Sequence, residues 1–247
     1  DGSGESRLTT SADYYESAPA LSPNGLKIAF TDNSNGGKHI FVMDTDGTDV
    51  EQITDNGWNS TPSWSPDGDQ IVFARGDNSD AQSDIYIMNS DGSKLQNITN
   101  TGTARESKPD WSSDGTKIVF VSFISPDSEI FTIDPDGSNR IQLTDNAVFD
   151  SDPEWSPSGN RIAFVSEAES GTDKVHIMNS DGTNLKELTL SSSSESSPTW
   201  SPDGTKIAFS RFIDGYTHIH IFSVEFNDIL SAPYVTGNDR SPHWNYR

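Results

Sequence analysis

Cysteine is absent from all 247 residues, which excludes disulfides and thiolate metal sites and leaves the redox compartment undecided. No apolar run reaches the roughly eighteen residues that a membrane-spanning helix needs. Positive charge is scarce: sixteen Lys and Arg stand against thirty-eight Asp and Glu, a formal net charge of −22. Such a surface repels nucleic acid and anionic lipid, favours cations or basic partners, and keeps the chain soluble. The opening DGSGESRLTT carries no basic, apolar leader, so a signal peptide is expected either to have been removed or never to have existed. Stretches with a capped 3.6-residue apolar period are lacking too, so helix is expected to be essentially absent. There is no G-x-S-x-G nucleophile elbow and no phosphate loop, and the abundant serines fall in turns and strand edges. The chain therefore reads as a non-enzyme.

What the sequence does hold is a repeat. Ser197 to Phe209 reads SPTWSPDGTKIAF, and close versions begin at Ser17, Ser60, Ser107 and Ser151, with a truncated SPHW at Ser241–Trp244. Each copy is a hairpin: a Trp or Leu anchors one strand, a Pro-Asp-Gly type turn reverses the chain, and an Ile-Ala/Val-Phe strand returns. A second signature keeps the same period. Asp-Gly pairs stand at Asp1, Asp46, Asp91, Asp136 and Asp181, 45 residues apart. Four of them follow an apolar strand, such as Ile85-Tyr86-Ile87-Met88, and each precedes a weaker strand ending in Thr, such as Asn97-Ile98-Thr99.

One unit is thus four short strands, a to d, over about 45 residues, the signature of an all-β propeller built from four-stranded antiparallel blades. Repeats are placed at about 15–57, 58–102, 103–147, 148–192 and 193–237. Strands b and c occur five times, whereas a and d occur six times if Arg7–Thr9 and Tyr234–Thr236 are counted. A single domain over 1–247 with six blades is expected, one of them incomplete and built from residues 1–14 and 238–247; the alternative is five blades with spare ends.

The W-S-P-D-G-x-x-I-A-F hairpin, followed by D-I-Y-x-M-x-x-D-G and then L-T, resembles the repeat of TolB-type propellers, relatives of the WD-repeat proteins. The resemblance runs through Trp64, Trp111, Trp155, Trp200 and Trp244 and departs at Leu21, where the Trp is missing, and at Phe226-Asn227, where the sixth Asp-Gly would fall. It implies a non-catalytic, extracellular or periplasmic scaffold that binds other proteins. The acidic surface points to basic or cell-envelope proteins as partners, with no nucleic acid and no membrane insertion. Two other functions stay open. One is a structural subunit of a surface layer or filament, self-associating through the incomplete blade. The other is a metal-dependent propeller lyase or hydrolase using His218, His220 and His243.

Three sets of residues are candidate sites. Three residues before each repeat's Pro stands Glu16, Asn59, Glu106, Asp150, Glu195 or Asp239. If the innermost strands line the axis, these should converge on one channel mouth and capture a cation, Ca²⁺ or Mg²⁺ by their oxygen chemistry, or a partner's Lys or Arg. The competing reading is local, each acid tying down backbone N–H groups near its own loop. No cofactor is otherwise implied. Asn97 and Asn59 head N-glycosylation sequons, with Asn97 the better placed. The D-x-D-G turns lack the first and last ligands of a calcium loop, so they read as hairpin turns. His176 and His220 share a slot with Phe41, Tyr86 and Phe131 that reads as a packing site for flat rings.

Overall fold

In the computed structural model, which describes residues 6–9, 15–33, 36–77, 82–168, 171–225, 228–230 and Pro242, all twenty strands fall into five four-stranded antiparallel sheets. The first blade holds β1 (Glu16–Leu21), β2 (Lys27–Asp32), β3 (His39–Asp44) and β4 (Glu51–Gln52). The second holds β5 (Trp58–Trp64), β6 (Gln70–Gly76), β7 (Asp84–Asn89) and β8 (Gln96–Asn97). β9 (Arg105–Trp111), β10 (Ile118–Ile124), β11 (Asp127–Ile133) and β12 (Ile141–Gln142) form the third. β13 (Asp150–Trp155), β14 (Arg161–Glu167), β15 (Asp173–Asn179) and β16 (Lys186–Glu187) form the fourth. The fifth holds β17 (Glu195–Trp200), β18 (Lys206–Ile213), β19 (Tyr216–Ser223) and β20 (Asp228–Leu230). The described residues therefore form five complete blades, which matches the five-blade alternative.

The hairpins form where the turn chemistry places them. In the turn after β5, Ser65 Oγ donates to Asp67 Oδ1 at 2.6 Å, Asp67 Oδ1 also accepts the Asp69 N–H at 3.0 Å, and Gly68 takes φ +77°. The Asp-Gly turns close in the same way: Asp181 Oδ1 accepts the Thr183 N–H at 3.0 Å and its hydroxyl at 2.6 Å. Those bonds hold Asp181 below the usual carboxylate range, and the corresponding bonds do the same for Asp46, Asp91 and Asp136.

The core lies between blades, because both faces of strands b and c are apolar. Ala163, Val175 and Ile177 of the fourth blade pack on Trp200, Ile207, Phe209 and Phe222 of the fifth. The opposite face of the fourth blade, Ile162 and Phe164, packs on Val119, Val121 and Ile130 of the third. The flat-ring slot is real in every blade. Phe30–Phe41, Phe73–Tyr86, Phe120–Phe131, Phe164–His176 and Phe209–His220 pair across strands b and c with ring centroids 5.6–6.2 Å apart. His176 and His220 thus serve as aromatic packing partners.

One outer strand is not among those expected from the sequence. The outer strand paired with β19 is Asp228–Leu230, with Phe222↔Ile229 and Ser223↔Asp228. The sequence has no Asp-Gly at Phe226-Asn227, and four residues separate β19 from β20. Tyr234–Thr236 lies outside the described residues, as do His243 and most of the partial closing blade.

Candidate functional site

Every innermost strand carries the same irregularity. In β13, Ser151 pairs with Val165 but Glu154 with Ala163, so one residue is inserted; β1, β5, β9 and β17 shift alike. The inserted position is a non-glycine residue at positive φ followed by Pro: Ala18 (49°), Thr61 (53°), Lys108 (52°), Asp152 (52°) and Ser197 (51°). Proline lacks the N–H that a regular ladder needs, so a strand accommodates it at a bulge. Five strained residues at equivalent places are a repeated device rather than an accident, since such conformations cost about 1–3 kcal/mol each.

The bulge decides which side chains face the axis. A cavity of about 570 Å³ runs along it and is lined by all five bulge residues. The next axial ring, Ala20, Ser63, Asp110, Glu154 and Thr199, also lines it, and the cavity reaches the S-P-D-G turns through Pro23, Pro66 and Pro157. Hydrogen bonds knit this belt across blades. Asp110 accepts the Ser63 hydroxyl at 3.0 Å and the Trp155 N–H at 2.9 Å. Glu154 accepts the Thr199 hydroxyl at 3.0 Å and the Trp200 N–H at 2.9 Å. Asp152 accepts the Ser197 N–H at 3.0 Å and is ion-paired with Lys108. Removal from water pushes Asp110 up to about 6. Burial, reinforced by the neighbouring Asp110 charge, pushes Glu154 up to about 8. The mouth is thus walled by turn prolines, while its floor holds carboxylates that take up protons near neutral pH.

The acids singled out from the sequence lie elsewhere. None of Glu16, Asn59, Glu106, Asp150 and Glu195 lines this cavity, and Asp239 is outside the described residues. They stand at the start of the innermost strands, at the opposite end from the S-P-D-G turns. Asn59, Glu106, Asp150 and Glu195 are fully buried between blades. Glu195 receives Arg211 through Nε (3.0 Å) and Nη2 (2.8 Å), and it also accepts the Val175 N–H of the preceding blade (3.1 Å) and the Thr189 hydroxyl. Glu106 pairs with Arg140 at 2.9 Å, and burial raises its pKa. Asp150 takes the Asn146 side-chain N–H at 2.9 Å. Asn59 donates to the carbonyls of Lys38, Asn56 and Gly57 at 3.1, 2.8 and 3.2 Å. Glu16 is half-buried. The partners of Asn59, Glu106, Asp150 and Glu195 lie in their own or the preceding blade and the connections between them. Along an unbroken strand residues i, i+2 and i+4 share a face, which would place Glu106, Lys108 and Asp110 together. The bulge breaks that alternation and turns Glu106 into the blade interface. Among the described residues no group of three or more His, Cys, Asp or Glu side chains is arranged to hold a metal ion.

Both sequons are occupied by structure. Asn59 is buried, and Asn97 is half-buried, donating to Asp84 Oδ2 at 2.8 Å while its Oδ1 accepts the N–H groups of Thr99 and Asn100. A glycan on Asn59 would have to displace the packing that buries it, and one on Asn97 would replace a hydrogen of the amide that donates to Asp84. The residues that sequence reasoning passed over are Asp110, Glu154 and the bulge set. Their signal was present in the recurrent x-Pro inside an otherwise regular strand.

The chain matches the family model described as TolB beta propeller domain over residues 2–125 and again over 104–246. It is 37% identical over 60 residues to the Tol-Pal system protein TolB of Hydrogenovibrio crunogenus, covering 24% of this chain and 14% of that protein. Among solved structures it is similar to TolB from Acinetobacter baumannii, with a TM-score of 0.76 and 25% identity over 89% of this chain and 54% of that one. The chain therefore spans about half the length of that TolB. With an oligogalacturonate lyase from Vibrio parahaemolyticus it shares the fold alone, at a TM-score of 0.70 and 15% identity over 91% of this chain and 67% of the other.

Proposed function

The chain belongs to the TolB β-propeller domain family, and from that premise and the axial cavity we propose that it is a secreted or periplasmic, non-catalytic binding module that takes a partner protein at the S-P-D-G mouth of the ring. One observation carries the reading. Turns, core and bulges repeat from blade to blade, yet the side chains that the bulges present to the axis differ in each: Ala18, Thr61, Lys108, Asp152 and Ser197. A uniform frame with a non-uniform lining distinguishes one orientation of a bound segment from another, which suits recognition of an asymmetric peptide or loop. The strain at these five positions fits a surface that is held ready before binding.

Charge supports a basic partner. With a net charge of −22, association with basic or cell-envelope proteins is electrostatically favoured. The naming of a relative as a Tol-Pal system protein supports a role as one component among several. Among the described residues no helix is long and apolar enough to cross a membrane.

A photo-crosslinking side chain at Ser197, compared with one at Lys186 on an outer strand, tests the proposal in an extract of the source cell's envelope. The expected result is one predominant adduct at the Ser197 position, lost when Lys108→Glu and Asp152→Lys are introduced together. Equal adducts at both positions, or an adduct indifferent to the double change, would overturn it. Turnover of an oligosaccharide or peptide by the purified protein would overturn the non-catalytic part.

A further inference from the structure

The third blade breaks the repeat at one buried position. In strand c, Val42 of the first blade, Ile87 of the second and Ile177 of the fourth each belong to the core shared with the next blade's tryptophan, Trp64, Trp111 or Trp200. The corresponding residue of the third blade is Thr132, 45 residues after Ile87 and 45 before Ile177. It is 3% exposed, and its hydroxyl bonds to no other group among the described residues. Threonine fills less space than isoleucine, and a core that does not collapse around a smaller side chain keeps the difference as a void. A cavity of about 320 Å³ lies at this place, between the third and fourth blades, with Thr132, Leu143 and Trp155 in its lining.

The rim of this cavity is polar and open to water. Asp114, in the turn after β9, and Asp181, in the turn after β15, both line it and are exposed. Asp114 Oδ1 accepts the Ser112 hydroxyl at 2.7 Å and the Thr116 N–H at 3.0 Å, and Asp181 Oδ1 is taken by Thr183. The second oxygen of each carboxylate has no partner among the described residues. Lys117 also lines the rim, with its ammonium ion-paired to Asp134. These groups select among guests. An anion would meet two carboxylates that their turn bonds keep ionised. A second cation would be crowded by Lys117. A wholly apolar guest would leave the Thr132 hydroxyl dry and unpaired. A neutral ring bearing hydroxyls meets every part, because each hydroxyl both donates and accepts while the ring's C–H face lies on an apolar wall.

We propose that the cavity between the third and fourth blades is a binding site for one neutral monosaccharide ring, seated against Trp155 and Leu143 with a hydroxyl at Thr132 and others at the free oxygens of Asp114 and Asp181. The site is distinct from the axial mouth and does not depend on the partner proposed for it. Its volume lies at the small end of ligand cavities, about 300–1,000 Å³, so it takes a single ring and not an extended oligosaccharide. For a guest of this size the affinity should be millimolar. The substitution of Thr for an aliphatic residue is what opens the site, which makes the third blade the one place in the repeat where it occurs among Val42, Ile87, Thr132 and Ile177.

Saturation-transfer NMR on the full 247-residue protein tests the site, with glucose, galactose, mannose and N-acetylglucosamine as neutral probes and putrescine and acetate as charged ones. Saturable transfer to at least one neutral sugar, and to neither charged probe, is the expected result. Thr132→Ile supplies the residue that the second and fourth blades carry, so it should keep or raise the thermal midpoint while weakening sugar binding at least roughly tenfold. Thr132→Val nearly keeps the volume and removes only the hydroxyl, and it should weaken binding severalfold. Should Thr132→Ile disturb folding, the methyl resonance of Thr132 in the unaltered protein gives a second reading, since it should shift as the sugar is titrated. Absence of transfer to all four sugars overturns the proposal, because the cavity would then hold water only. So does sugar binding that neither perturbs the Thr132 methyl nor responds to Thr132→Ile, and so does putrescine binding in place of the sugars.

Discussion

Glu195 and Glu154 are both carboxylates of innermost strands, and the backbone assigns them opposite surroundings. Glu195 lies before its bulge, is 1% exposed, and is matched by Arg211, Thr189 and the Val175 N–H. Removing one partner of a buried, hydrogen-bonded pair leaves the other charge unpaired, so Glu195→Ala should cost about 3–5 kcal/mol, read as a lower urea midpoint at unchanged slope. Glu154 lies after its bulge, faces the cavity, and is pushed up to about 8. Its value in the unfolded chain is near that of an ordinary Glu, about 4.3, so between those two pH values the folded state binds the extra proton. The stabilisation is complete below about pH 4 and is lost as pH rises through about 8. Glu154 should therefore make the thermal midpoint decline from pH 5 to pH 8.5, and Glu154→Gln should flatten that decline while leaving the acid limb in place. An unchanged profile in the variant would remove Glu154 as its source. The recurrence of an acid at Glu106, Asp150 and Glu195 was legible in the sequence. Its direction was not, because a period-2 reading assumes an unbroken pleat and each strand carries a bulge instead.

At the scale of the hairpin and blade, turn glycines separate into two kinds. Gly25 has φ +71° and open space where a Cβ would go, whereas Gly92 has φ +81° and the Ile53 carbonyl oxygen 2.6 Å away. Gly25→Ala should cost only the conformational penalty, about 1 kcal/mol. Gly92→Ala adds a backbone clash between neighbouring blades and should cost at least twice as much; urea unfolding of the two variants side by side gives the comparison. Hairpins, strand order and the aromatic slot could be read from the sequence because each rests on short-range chemistry: Pro-Asp-Gly turns, apolar runs, a ring at the equivalent place of strand c in every blade. The axial cavity could not, since Lys108 and Asp152, or Asp110 and Ser63, meet only after blades are arranged around an axis. The strand Asp228–Leu230 was not legible for a related reason. Its position depends on a connection without the Asp-Gly signal, and only the observed pairing with Phe222 and Ser223 locates it.

For the whole molecule the dominant long-range quantity is the charge of −22, and it acts in opposite senses on folding and on binding. Like charges spread over the blade surfaces repel one another in the folded state, and the Debye length falls from about 30 Å at 0.01 M salt to about 3 Å at 1 M. Raising NaCl across that range should therefore raise the thermal midpoint, by a few degrees if screening recovers about 1–2 kcal/mol. The buried Glu195–Arg211 pair is shielded from salt by its neighbours and should not reverse that trend. Association with a basic partner responds the other way. Steering acts on approach, so the association rate should fall by roughly tenfold or more over the same range. Dissociation, set by the close fit at the axial mouth, should change far less. Surface plasmon resonance at four salt concentrations, run beside thermal melts in the same buffers, separates the two effects. If the association rate were flat while the midpoint rose, the acidic surface would serve solubility and not recognition, and the partner would have to be sought among neutral proteins.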